Sequence, residues 1–341
     1  MRAVRWWPPV AVFALLAVVP FATAPLPGVL PGPLNSPGTL QLLALCVLFA
    51  GFALTYDLLF GHTGLLSFGH ALHVAAGSYA TNIAVTRWGW GWPAALAFAA
   101  AVGLALPLVV GAVSLRVRGI AFAMVTLAFA QVGSIVVLSS HLTGGEEGLS
   151  LADVPAAFAG VANTANLYWL ALGYLVAVFA AVRWSVDSEP GRVWQALREN
   201  ERRVTVLGLS PYRFRLLAYV LSAFLATLGG VVHLLLLGGS APQITTSAFT
   251  VGLLIMTVLG GAGSRWGALL GGVLYTYLDQ RLGALSGSDL VASLPSAVRV
   301  PLAQPEFLLG TLFILVVFFL PGGVAALGER LWRRDGFRAR Q

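Results

Sequence analysis

Residues 39–60 read TLQLLALCVLFAGFALTYDLLF, a run of 22 residues in which Asp57 is the only charge. A helix of that length rises about 33 Å, which is enough to cross the ~30 Å hydrocarbon core of a bilayer. Hydrocarbon offers no water to the backbone N–H and C=O groups, so an isolated spanning segment of this kind must be helical. The stretch therefore predicts a transmembrane helix.

Similar apolar runs recur along the whole chain. Hydrophobic residues make up 58% and charged residues 10% of the 341 residues, whereas a soluble domain carries about 25% charged residues. We therefore predict an all-α, polytopic integral membrane protein with about ten transmembrane helices, forming a single transmembrane domain over residues 1–341. The predicted spans are Trp7–Ala24, Thr39–Phe60, Leu65–Val85, Pro93–Val113, Gly119–Ser139, Leu167–Trp184, Leu216–Leu237, Phe249–Gly263, Trp266–Leu285 and Phe307–Leu327.

The arginines predict how these spans are oriented. The formal charge is +7 and all 20 basic residues are arginines, mostly in short loops. With the N-terminus in the cytoplasm, 17 of the 20 arginines fall on the cytoplasmic side, as the positive-inside rule requires. Both termini and residues 185–215 are then cytoplasmic, and residues 140–166 are outside. This topology explains the positive charge without nucleic-acid binding.

The N-terminal run has a second interpretation. Arg2 and Arg5, the apolar run and Ala22-Thr23-Ala24 also fit a cleavable signal peptide. We prefer an uncleaved first span, and cleavage would leave the orientation of the other spans unchanged.

Residues 185–215 form the least apolar stretch of the chain. Ser188 is a candidate N-cap with Pro190 in the first turn, and Gly208 is a candidate C-cap before a second helix. The pattern predicts an amphipathic helix, which either lies on the lipid surface or binds a protein partner. The mixed charges favour a protein partner, because anionic lipid would repel Glu199 and Glu201.

Two glycine motifs interrupt the spans, GHTG at residues 61–64 and GGAG at residues 260–263. Such interruptions mark either broken helices along a substrate path or ordinary close packing. Polar groups inside spans usually face the bundle interior or a water-filled cavity. Six residues are therefore candidates for a translocation path, with hydrogen-bonded packing as the alternative: Thr63, Gly64, Ser67, His70, Thr126 and Gln131.

Several chemistries are disfavoured by what the sequence lacks. A P-loop requires a lysine that contacts the phosphates, and this chain has none. We find no metal-ligand spacing and no nucleophile motif, and the single Cys46 lies in an apolar run. We therefore predict no catalytic residues, no metal and no cofactor. An ion-coupled secondary transporter is also disfavoured. Such proteins usually carry ionisable residues deep in the membrane, whereas few lie inside the predicted spans here.

The stretch GRVWQALRENERRVTVLG at residues 191–208 resembles the cytoplasmic coupling segment of ABC-importer permeases. Its Arg-Glu-Asn-Glu motif and following Gly-Leu-Ser resemble the M-type subunit of the branched-chain amino acid permease family. Further stretches match that family in order: Gly61–Tyr79, Leu115–Val132, Thr143–Leu149, Leu259–Gly272 and residues 319–323. Departures are Asp57, where the family more often has Asn, Gln131, where it often has an acidic residue, and His73-Val74.

The resemblance implies an ABC-importer permease fold in the inner membrane, surrounded by lipid. It implies that the chain transports branched-chain or related amino acids without being an enzyme itself, with urea or short amides as alternative substrates. The implied partners are a homologous second permease, two ATPase subunits and an extracytoplasmic binding protein. The residues implied to couple to the ATPase are Arg198, Glu199, Asn200, Glu201, Arg202 and Gly208.

The orientation can be tested by cysteine labelling in intact cells. We expect Glu199→Cys to resist a membrane-impermeant thiol reagent added from outside, because residues 185–215 are predicted to be cytoplasmic. The matched variant Glu147→Cys, in the predicted outer loop, should react. Labelling of Glu199→Cys from outside would contradict the topology.

Overall fold

The computed structural model describes residues 7–24, 30–286, 304–320 and 322–326, and all structural statements concern these residues. The helices confirm the all-α prediction. Their bounds are α1 Trp7–Val18, α2 Pro37–Asp57, α3 His70–Thr86, α4 Trp92–Ser114, α5 Ile120–Ser139, α6 Thr164–Asp187, α7 Glu189–Glu199, α8 Glu201–Val206, α9 Pro211–Leu237, α10 Ser247–Gly260, α11 Arg265–Ser286 and α12 Pro305–Phe319.

Each predicted span overlaps one of these helices, α1–α6 or α9–α12. The predicted end of the last span, Leu327, lies outside the described residues. Five helical stretches of the described chain are long and apolar enough to cross a membrane: Pro37–Thr63, Trp92–Ser114, Ile120–Ser139, Val161–Asp187 and Pro211–Leu237. Shorter apolar helices run over Pro8–Phe21, Ser247–Gly260 and Phe307–Val316. The third predicted span begins later than expected, at His70, because the backbone is not helical over residues 64–69.

Helix α2 lies at the centre of the fold. It packs against α6, α9, α10 and α11, and its side chains Phe52, Leu54 and Tyr56 are fully buried. A helix that is apolar on every side is typical of a position surrounded by other helices. The stretch that predicted a transmembrane helix therefore forms the core of the described bundle.

Helix α3 packs against α4 and α9 and is tied to the predicted outer loop. In that loop Leu149–Ser150 pairs antiparallel with Gly239–Ser240 after α9. Asn82, near the end of α3, donates from Nδ2 to the Leu149 carbonyl at 2.6 Å and to Ser240 Oγ at 3.2 Å. These bonds satisfy backbone and side-chain polar groups that packing removes from water.

Between Ser188 and Gly208 we predicted one amphipathic helix, and the structure has two. Segment 185–215 divides into α7 and α8 at Asn200, whose side chain accepts hydrogen bonds from the backbone N–H groups of Arg202 at 3.0 Å and Arg203 at 3.3 Å. The amide oxygen thus caps a new helix and ends the previous one. Gly208 follows α8 with φ +80, in agreement with the predicted C-cap.

The buried face of this segment is turned toward the bundle. Trp194 is 1% exposed and its Nε1 donates to the Phe214 carbonyl at 2.8 Å. Leu197 and Val204 are also buried, whereas Leu207 is 76% exposed. Trp194 is therefore unavailable as the lipid anchor that a membrane-surface helix would need.

Candidate functional site

The candidate site is built around a break between α2 and α3. Helix α2 ends at Asp57 and continues as a wide helical turn over Leu58–Thr63. Gly64 then adopts φ +73, and the chain stays non-helical until His70. Wide, π-type turns of this kind are rare and occur frequently at functional sites.

The second glycine motif lies directly against this break. The Gly263 amide donates to Asp57 Oδ1 at 2.7 Å. A Cβ at Gly61 would lie 1.9 Å from Asp57 Oδ1 and 2.3 Å from the Gly263 nitrogen, so no side chain fits there. Gly323 reaches the same place, because a Cβ on it would lie 2.4 Å from the Gly261 nitrogen. We call these residues, Asp57, Gly61, Gly261, Gly263 and Gly323, the glycine junction.

Asp57 is the buried charge of the junction. It is 0% exposed, and its Oδ2 has no hydrogen-bond partner among the described residues. The neighbouring His62 Nε2 lies 3.5 Å from Oδ2, beyond the usual hydrogen-bond length. A buried carboxylate requires compensation by donors or a cation.

Arg198 of α7 reaches the junction from segment 185–215. Its Nη1 donates to the Gly61 carbonyl. The stem of the side chain packs on the break, since a Cβ at Gly64 would lie 3.2 Å from Arg198 Cγ. Arg198 is an exposed residue, but its guanidinium binds within the fold. The segment and the break are therefore in direct contact.

The candidate path residues Ser67 and Thr126 fix the non-helical stretch. Thr126 Oγ1 on α5 accepts from the Phe68 amide at 3.1 Å, and Ser67 Oγ accepts from the Gly69 amide at 3.2 Å. Both side chains are buried. They satisfy backbone groups that the helix break leaves without intrahelical partners.

His70 and Thr63 are also buried and hydrogen bonded. His70 Nε2 lies 2.9 Å from Thr55 Oγ1, and Thr63 Oγ1 donates to the Leu59 carbonyl at 2.5 Å. The next histidine along α3, His73, contacts the Tyr219 hydroxyl at 3.0 Å. These contacts have the form of hydrogen-bonded packing, and a role of His70 and Thr63 in the path stays a prediction.

Gly64 and Gln131 differ from the other candidates because both are exposed. Gly64 lines a cavity of about 330 Å³ between the break and the start of α5, together with Phe68, Ile120 and Met124. Gln131 lies in the middle of α5. A primary amide exposed at that depth is costly in hydrocarbon, so this face of α5 is suited to water or protein.

Three of the six predicted coupling residues, Arg198, Asn200 and Glu201, make side-chain contacts within the chain, and the other three are exposed. Asn200 caps α8, and Glu201 pairs with Arg215 at 3.1 Å and Arg118 at 3.3 Å. Glu199, Arg202 and Gly208 are exposed.

The two arginine partners of Glu201 and the Asp57–Gly263 bond were missed from the sequence. The lone charge at the end of an apolar span was the available signal for Asp57.

Next to the exposed coupling residues, Val206 is 87% and Leu207 76% exposed. The last residue of α8 and the residue after it therefore present apolar side chains among charges.

Comparisons with known proteins match the chain to a family of permeases. A family model described as "Branched-chain amino acid transport system / permease component" matches residues 38–317. The high-affinity branched-chain amino acid transport system permease protein LivM of Escherichia coli is 29% identical over 264 residues, which are 70% of this chain and 62% of that protein. The LivM protein of Salmonella typhimurium matches with the same identity and coverage.

A probable LivM permease of Methanocaldococcus jannaschii is 24% identical over 189 residues, which are 54% of this chain and 53% of that protein. The chain thus spans less than two thirds of the length of these curated relatives.

We expect Asp57→Leu to destabilise the protein by about 1–3 kcal/mol, because the partly buried Gly263 amide loses its acceptor. Asp57→Asn is the matched control, since its amide oxygen can still accept that bond. Thermal unfolding in detergent, followed by size-exclusion chromatography, measures the difference. Equal midpoints for Asp57→Leu and the wild type would show that this hydrogen bond does not hold the junction together.

Proposed function

The chain belongs to the branched-chain amino acid transport system permease family, and from that premise we propose that it is a transmembrane permease subunit of an ATP-driven ABC importer. Its proposed cargo is a branched-chain or related amino acid, carried across the inner membrane. The family match over residues 38–317 carries this proposal, and the LivM names of the relatives support the cargo class.

Segment 185–215 is the proposed contact with the ATPase subunits. Its α8 helix exposes Val206 and Leu207 beside Glu199 and Arg202. Exposed apolar side chains rimmed by charges are characteristic of a protein-binding surface. ATP hydrolysis must be carried out by a partner subunit, because a chain without lysine cannot supply the P-loop lysine.

The proposed complex contains a homologous second permease, two ATPase subunits and an extracytoplasmic binding protein. The translocation path would run along the exposed face of α5 that carries Gln131, between the two permeases. Gly64 would border the path, while Thr63, Ser67, His70 and Thr126 would support it from behind. The mid-span exposure of Gln131 supports this arrangement, because an amide is costly in lipid.

Purification of the tagged chain tests the subunit composition. We expect ATPase subunits and a second permease to copurify, and we expect the chain alone to hydrolyse no ATP. Reconstituted vesicles should then take up a branched-chain amino acid when the binding protein and ATP are supplied, with urea and a short amide as comparison substrates. Robust hydrolysis by the isolated chain would contradict the proposal.

Gly208→Val should uncouple transport from ATP hydrolysis while the protein still inserts into the membrane. Gly208 has φ +80, a conformation that costs a β-branched residue about 1–2 kcal/mol. The turn after α8 would therefore be displaced, and substrate-stimulated hydrolysis and uptake should both fall. Gly208→Asn is the control, because asparagine tolerates this conformation. Full activity of Gly208→Val would contradict a docking role for the turn.

A further inference from the structure

Helix α7 is held firmly at the surface of the bundle. A Cβ at Gly191 would lie 2.2 Å from the Val186 carbonyl oxygen, so the start of α7 packs directly on the end of α6. Trp194, one turn later, is buried and hydrogen bonded to the Phe214 carbonyl in α9. Arg198 lies one further turn along the same helix, at the spacing that places i and i+4 residues on one face.

The carbonyl that Arg198 binds belongs to the wide turn of the break. In such a turn the regular i→i−4 hydrogen-bond pattern is interrupted, so carbonyl groups are available to other donors. The Gly61 carbonyl accepts a hydrogen bond from Arg198, and the Gly61 Cα packs against the backbone of Gly263. The Arg198 guanidinium also borders Gly263, since a Cβ there would lie 2.8 Å from Nη1.

The same guanidinium lies next to the buried charge of the junction. Gly263 donates to Asp57 and is bordered by Arg198. The Arg198 guanidinium and the Asp57 carboxylate therefore both adjoin Gly263. An arginine at this place supplies several N–H donors in a fixed geometry, which a lysine cannot reproduce. Exposed arginines elsewhere on α7, such as Arg192, have no comparable position.

Resting on the permease function proposed above, we propose that Arg198 is a positioning residue that joins α7 to the glycine junction. When segment 185–215 is displaced, the break at Gly61–Gly64 then moves with it as one rigid unit. This role differs from the ATPase contact that the sequence implied for Arg198, because the guanidinium acts inside the permease. Glu199 and Arg202 remain available to a partner.

Variants of Arg198 separate the two roles in the reconstituted complex. We expect Arg198→Ala to copurify with the ATPase subunits and to hydrolyse ATP, while substrate transported per ATP falls about 5-fold or more. Arg198→Lys should recover only part of this ratio. Arg116→Ala, which removes an exposed arginine outside segment 185–215, should equal the wild type. Wild-type transport per ATP in Arg198→Ala would overturn the proposal, and so would loss of copurification, which would indicate a docking contact.

A designed disulfide tests whether the two parts move together. A Cβ at Gly64 would lie 3.6 Å from Arg198 Cβ, within the ~3.5–4.5 Å range of natural disulfides. Gly64→Cys with Arg198→Cys, in a Cys46→Ala background, should transport poorly when reduced and recover on oxidation, as read in vesicles alongside thiol labelling. The single-cysteine variants should not respond to the oxidant.

Two outcomes of the disulfide experiment would overturn the inference. Failure of the two cysteines to cross-link would contradict the geometry, and loss of transport on oxidation would show that α7 slides against the break. If the double variant does not fold, the Arg198→Ala ratio decides alone. A wild-type complex that neither assembles nor transports would instead count against the permease function itself.

Discussion

The hydrogen bond from the Gly263 amide to the buried Asp57 carboxylate fixes the point where the break after α2 meets the second glycine motif, GGAG at residues 260–263. It joins the end of α2, the central helix of the described bundle, to the turn between α10 and α11. Gly61 lies between the two groups without a side chain. The position of α11 relative to α2 depends on this contact, because α11 begins two residues after Gly263.

A helix break at membrane depth exposes backbone groups that lipid cannot satisfy, so irregular backbone is tolerated only where protein or water surrounds it. Neighbouring helices meet this requirement here. Tyr56 donates to the Ser67 carbonyl at 3.1 Å, and Thr126 accepts from the Phe68 amide. Thr250 of α10 accepts from the Ala71 amide at the start of α3 at 3.0 Å. The buried polar residues thus explain how the break is stabilised.

Helix α3 connects this break to the opposite end of the described bundle. Near its end, Ser78 Oγ lies 2.7 Å from Ser240 Oγ, and Asn82 binds the Leu149 carbonyl. Helix α3 is thus hydrogen bonded to other parts of the chain near both of its ends. The α2–α3 break, the predicted outer loop and segment 185–215 are therefore linked through α3 and the glycine junction.

The sequence by itself determined the all-α class, most helix positions and the absence of a P-loop lysine, and it predicted the orientation, because span length, apolar content and charge bias are local properties of the chain. It also located the glycine motifs and the turn at Gly208. Only the tertiary structure decided which motifs meet: Gly263 bonds to a residue 206 positions away and Arg198 to one 137 positions away. Likewise, Glu201 pairs with Arg118 and Arg215 instead of being free. Such contacts depend on how distant helices pack, and a one-dimensional pattern of hydrophobicity and charge carries no information about that choice.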